Sequence, residues 1–173
     1  MKNYIILVTA IVLSACGSNS GESAHVFPAK ESAETNLISF KVNGETVSTS
    51  GWNISRLTWK DGDKQWLNIT TNMHEDKRTI MANLDGAVPG TYVLAEDGGF
   101  RASSGSYKPD YIGDMLQSYS FISGSFVLTE VDTVKNKVNG SFSGKVKNKS
   151  GEIIEITDGK MENVEMRAGV MHY

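Results

Sequence analysis

The sequence predicts an all-β domain: an antiparallel β-sandwich or open barrel of about eight to ten strands. Three features predict it. Short runs of alternating apolar and polar residues recur at the ~8–12-residue spacing of all-β folds, each closed by Gly, Asn, Asp or Pro. No stretch sustains the 3.6-residue apolar period of an amphipathic helix. The C-terminal third alternates most cleanly and reads as a meander: Val138, Gly140, Phe142, Gly144 and Val146 face one way, and Asn139, Ser141, Ser143, Lys145 and Lys147 the other.

The chain opens differently. Lys2 precedes an apolar run from Tyr4 to Leu13, which gives way to small residues and to Cys16, the only cysteine. Such a run fits a secretory signal and is too short to span a bilayer as a helix. Leu13-Ser14-Ala15-Cys16 resembles the lipobox of bacterial lipoproteins. The resemblance implies cleavage before Cys16, acylation of its thiol and acylation of the new amino terminus. Residues 1–15 are then a signal peptide, 16–36 the lipidated cysteine and a tether, and 37–173 the β domain. One acyl chain binds a membrane only marginally, so the three that the resemblance implies would hold the chain there.

From Gly17 to Asn36 the residues are mostly Gly, Ser, Ala, Glu and Asn, with Val26-Phe27-Pro28 as the one apolar break. That is too little apolar surface to offset ordering, and a flexible segment of this length spans about 25 Å. Gly17 stands where an aspartate would resemble an inner-membrane retention signal, and Glu22 is the only acid close behind the cysteine. Both point to an outer-membrane anchor with the domain facing the periplasm.

Removing residues 1–15 takes away Lys2 and leaves 16 basic against 20 acidic side chains. This mild acidity, with no Lys/Arg cluster, argues against a nucleic-acid binder. With Cys16 acylated no thiol remains for a disulfide, so a single core must hold the domain.

Taken in order, Ile38, Phe40 and Val42 alternate with polar residues up to Asn43-Gly44, the strongest short hairpin signal. Glu45 to Ser48 returns. Trp52 to Lys60 and Gln65 to Asn72 form the next pair around Asp61-Gly62-Asp63-Lys64, and Arg78 to Leu84 follows. Val88-Pro89-Gly90 turns into Thr91 to Leu94. Glu96 to Gly113, with four glycines, reads as a long loop. Ser118 to Val131 is one long strand whose apolar phase slips, predicting a bulge near Phe121 to Gly124. After the meander strand and Asn148 to Gly151, Ile154 and Ile156 belong to a strand, Asp158-Gly159 to a turn, and Lys160 to Arg167 to a closing strand.

Phe40-Lys41-Val42-Asn43-Gly44, Pro89-Gly90-Thr91-Tyr92, Asn139 to Gly144 and Ile154 to Gly159 together resemble the pattern of small, largely uncharacterised β-rich lipoproteins common in Bacteroidetes. These are turn and core residues, so the resemblance implies a fold and lends no catalytic residue. Met161 departs from it, standing where an aromatic is expected. Asp132-Thr133-Val134 also resembles the O-glycosylation acceptor of Bacteroidetes proteins.

Enzyme signals are lacking. His25 falls in the tether, His172 is next to last, and His74 sits in a polar hairpin tip. His-Glu-x-x-His, Cys-x-x-Cys and Ser-x-x-Lys do not occur. Gly140-Ser141-Phe142-Ser143-Gly144 has Phe at its centre and lies in a strand, so it is no nucleophile elbow; its glycines mark close packing. Asp61-x-Asp63 and Glu96-Asp97 fall short of a calcium loop. The sequence thus calls for no metal, cofactor or catalytic residue.

The tryptophans carry the binding expectation. With Gly62-Asp63 as the central turn residues, Trp59 pairs with Trp66 across the strands. Ile54, Leu67, Ile69 and Thr71 then make the core face, and the two tryptophans point outward with Leu57 beside them. Paired exposed aromatics suit a sugar ring or a hydrophobic partner. Phe100, Tyr107 and Tyr111, from the long loop, are the candidates to join or cover them. The expectation is a non-catalytic lipoprotein with a binding or structural β domain, its partner a glycan or a protein. Alternatives are an inhibitor or immunity-type lipoprotein acting through the 96–113 loop, and a lipocalin-like carrier with an internal cavity.

Overall fold

The structure is a computed structural model that describes residues 37–49, 51–59, 64–71, 77–96, 102–111 and 117–171. Cys16, the tether, Asp61-x-Asp63, His74, Phe100 and His172 lie outside them.

The strands are β1 (Leu37–Val42), β2 (Glu45–Thr49), β3 (Trp52–Trp59), β4 (Gln65–Thr71), β5 (Thr79–Leu84), β6 (Gly90–Val93), β7 (Ser104–Lys108), β8 (Tyr119–Asp132), β9 (Lys137–Lys147), β10 (Ile153–Glu165) and β11 (Arg167–Met171). They form one curled sheet, an open half-barrel, ordered β11-β3-β4-β5-β7-β8-β9-β10-β1-β2, with β6 also paired to β8. The all-β expectation holds, on the open-barrel side of its two alternatives. The sheet is not wholly antiparallel, because β11 runs parallel to β3. Met166 alone separates β10 from β11, so the chain turns a corner there and leaves β9 and β1 for the opposite end of the sheet.

Local chemistry fixes the turns and bends. Asn43 and Gly44 both take positive φ (48° and 86°), the two-residue hairpin geometry their identities predict. β8 is bulged between Phe121 and Ser123, which switches its buried set from Tyr119 and Phe121 to Phe126 and Leu128 as the phase slip required. Asp158-Gly159 is a bulge rather than the expected turn: three steps of β10 from Ile156 to Gly159 face two of β9, from Gly144 to Phe142. A second bulge lies between Met161 and Val164. Asp158 and Asn163 supply the left-handed residues there (φ 51° and 50°), a conformation Asp and Asn tolerate. The expected last strand from Lys160 is thus the second half of β10. Each bulge deepens twist and bend, which is how a single sheet curls round its own core.

That core is a continuous cluster from both halves of the sheet. Phe142 stacks on Phe126 at a centroid distance of 4.7 Å and meets Phe40 at 5.9 Å. Val47, Ile54, Leu67, Ile80, Val146, Ile156 and Val164 pack in the same cluster. Met161 is buried, and its Cε occupies the space a Cβ on Gly140 would approach, so the thioether serves where an aromatic was expected. Gly144 and Gly159 likewise make room for the rings of Phe121 and Phe142.

At the β8–β9 turn the Asp132 carboxylate accepts from the backbone N–H of Val134 and of Lys135, both at 2.8 Å, leaving Thr133 and Val134 exposed at the tip. The Lys135 amide foremost, with that of Val134, holds the Asp132 carboxyl below its ordinary range. A depressed folded-state pKa contributes stability above the unfolded value, near pH 3.9, and loses it as pH falls through the folded value. Asp132→Asn, which keeps an acceptor but does not titrate, is therefore expected to lose less stability between pH 5 and pH 2.5 than the natural chain. Denaturant midpoints at the two pH values measure this; parallel losses would contradict it.

Candidate functional site

β3 and β4 pair with Leu57 opposite Trp66 and Ile54 opposite Ile69. The facing is as expected: Ile54, Leu67, Ile69 and Thr71 are buried in the core, and Leu57, Trp59 and Trp66 lie on the other face. The register is not. Leu57 faces Trp66 and Trp59 donates its backbone N–H to Lys64 O, so Trp59 sits diagonally from Trp66 rather than opposite it. The rings still meet edge-on at 5.3 Å, because diagonal neighbours lie within reach of large side chains.

This contact changes what the pair offers. Trp66 is only 5% exposed. Trp59 lies against it, and Lys64 Nζ sits 5.1 Å from its ring centroid while pairing with Asp85 at 2.9 Å. The pair is a covered aromatic corner, not two open rings.

The segment expected as a long loop contains β7, hydrogen-bonded between β5 and β8. Tyr107 points into the core from that strand, 2% exposed and 6.0 Å from the Tyr119 ring. It therefore cannot join the Trp surface, and alternation along a strand missed at the sequence level is the reason. Tyr111 follows β7, beside the Lys108 ammonium at 5.5 Å, with its N–H bonded to Lys77 O. It stands at the Thr79–Lys108 end of the β5–β7 pair, while Trp66 neighbours the Leu84 end of β5. Of the six surface candidates, the structure gathers Leu57, Trp59 and Trp66, separates Tyr107 and Tyr111 from them, and leaves Phe100 outside the described residues.

What the outer face adds is polar. Two rows of side chains run across the strands beside the Trp corner. One row is Ser55, Asn68, Asn83 and Ser104. The next is Asn53, Thr70, Met81, Ser106, Ser120 and Lys147. β8 stays beside β7 only through the Ser106–Ser120 and Tyr107–Tyr119 pairs; at the Phe121–Ser123 bulge it leaves, and further along it pairs with β6. A groove of about 360 Å³ opens at this fork, with Asn68, Thr70, Met81, Asn83, Ser104 and Ser106 along it. Ala95 and Glu96, which continue from β6, line its far side.

The charges at its ends are compensated. Glu96 pairs with Lys147 at 2.8 Å, and Asp85, one step beyond Asn83 on the same face, pairs with Lys64. The side chains of Asn68, Thr70, Asn83, Ser104, Ser106 and Ser120 make no hydrogen bond to another described residue. Sequence reading missed this set because two of its six members, Ser104 and Ser106, lie on β7 and join the β4–β5 residues to Ser120 of β8. The Ser104-Gly105-Ser106 alternation was the available signal, masked by the glycines around it.

No family model matches this chain, nor does any curated protein or solved structure.

Function therefore has to be read from the groove and from the N-terminal sequence. Among the described residues no group of three His, Cys, Asp or Glu side chains gathers to hold a metal ion. The grouping that does exist is suited to binding: hydroxyls and amides each able to donate and accept, with an aromatic corner at one end.

Proposed function

We propose that this protein is a lipid-anchored envelope lipoprotein, attached through acylated Cys16, whose β domain binds rather than catalyses. The observation that carries the anchor is the sole cysteine at the end of an apolar run, in Leu13-Ser14-Ala15-Cys16, followed by a polar stretch leading into β1. The outer membrane, with the domain on the periplasmic side, fits Gly17 after the cysteine. Its partner is an envelope glycan or protein.

The binding half of the reading draws support from the groove, whose polar side chains have unused hydrogen-bonding capacity. An internal carrier is disfavoured by packing: Phe142, Val146 and Ile156, which would have to line a cavity, sit in the core cluster with Phe40 and Phe126. An inhibitor working through a projecting 96–113 loop loses its centre to β7, which is tied down on both edges.

Growth with labelled palmitate tests the anchor. Label is expected in the natural chain and absent from Cys16→Ala, which should also leave the membrane fraction. Equal labelling of both would overturn the proposal.

A further inference from the structure

We infer that the groove at the β7–β8 fork is a binding site for a neutral oligosaccharide. The inference rests on the binding reading above and names the class of ligand. Three observations carry it.

The first is hydrogen-bonding character. Asn68, Asn83, Thr70, Ser104, Ser106 and Ser120 converge on one groove without using their side chains on other described residues. Each hydroxyl donates one hydrogen bond and accepts others, and each amide presents a carbonyl beside an NH2. A sugar's adjacent hydroxyls have the same double character, so amides and hydroxyls in register across strands match a pyranose edge better than they match a purely accepting or purely donating ligand.

The second is charge. Glu96, the one charged residue among the described residues that line the groove, is neutralised by Lys147, and Asp85, which follows β5 beyond Asn83, by Lys64. Among the described residues an anionic ligand would find no uncompensated cation there and a cationic one no uncompensated carboxylate, so an uncharged ligand is the complement.

The third is shape. The groove is open along the face and its volume of about 360 Å³ falls in the ~300–1,000 Å³ range of small-molecule sites. Ser104, Gly105, Ser106 and Ser120 keep one side low, and Met81 offers an apolar, polarisable patch for the C–H face of a ring. Beyond Asn68 the half-buried Leu57 and Trp59 continue the same face along β3.

The test uses the full mature chain in detergent micelles, applied to an array of neutral oligosaccharides (maltose-, cellulose-, xylan-, mannan- and chitin-derived) and acidic ones (polygalacturonate- and heparin-derived), followed by calorimetric titration of any glycan retained. A neutral class is expected to bind. The Asn68→Ala/Asn83→Ala variant should bind it at least tenfold more weakly, since each lost hydrogen bond in a binding site is worth roughly a factor of a few. Ser104→Leu, which fills the groove from an outward position, should abolish binding. Ser141→Ala/Ser143→Ala, on the outer face of β9, should leave it unchanged, and all variants should melt with the natural chain. Retention of only acidic glycans, no retention of any neutral glycan, or equal affinity in the groove variants would each overturn the assignment. Acylation of Cys16 is read separately by palmitate, so the sugar assignment can fail while the anchored-lipoprotein reading stands.

Discussion

Gly144→Ala is expected to lower the stability of the domain by about 3 kcal/mol, the upper end of the usual cost of over-packing a core. A Cβ at this position would collide with Ser123 O and approach Gly124 Cα and the Phe121 ring at 2.9 Å. Two of these three neighbours are backbone, held by the β8–β9 ladder beside the β8 bulge, and cannot swing aside. Gly151→Ala is the informative control. It lies in open space but at φ 88°, so it should cost only the left-handed penalty of about 1–2 kcal/mol. Urea midpoints of the two variants decide the matter. A cost at Gly144 no larger than at Gly151 would mean that β8 and β9 are not as closely apposed as described.

The second large effect is expected at Phe142. Its ring lies 15° from parallel with Phe126 and also touches Phe40, so it joins β9 to β8 and to β1 across the curl of the sheet. Truncation to alanine removes a buried aromatic and leaves a cavity in the core where β1, β8 and β9 meet, a loss of about 3–5 kcal/mol. Domains of ordinary size are stable by only ~5–15 kcal/mol, so Phe142→Ala should show a much reduced unfolding midpoint or fail to fold. Phe126→Ala should cost a similar amount, and the double variant less than the sum, because the two rings share one contact. Additive losses would contradict a stacked pair.

Much of the fold was legible because period-2 alternation and turn chemistry act locally. Asn43-Gly44 announces its hairpin, and the slip from Tyr119 and Phe121 to Phe126 and Leu128 announces its bulge. Three features were not legible. Asp158-Gly159 has the composition of a turn, and only pairing on both edges of β10, with β9 and with β1, shows that the strand runs through it. β7 is short, glycine-bearing and flanked by loop-like sequence; its strand character comes from lying between β5 and β8. The parallel pairing of β11 with β3 joins residues more than a hundred positions apart, which no local pattern encodes.

The candidate site divides in the same way. Alternation along β3 and β4 puts Leu57, Trp59 and Trp66 on the face opposite the core, as the sequence predicts, but not in the predicted pairing or exposure. Their mutual register is set by the β3–β4 pairing, and Trp66 is covered by the Trp59 ring and by Lys64, which pairs with Asp85 just beyond β5. The groove itself draws on β4, β5, β7 and β8, whose members become neighbours only once these strands pair side by side.

The measurement that bears most directly on the whole account is the intact mass of the protein recovered from membranes. The expected species begins at Cys16, with a diacylglyceryl group on its thiol and a third acyl chain on its amino group. A chain that retains Met1, begins at another residue, or carries an unmodified Cys16 would contradict it.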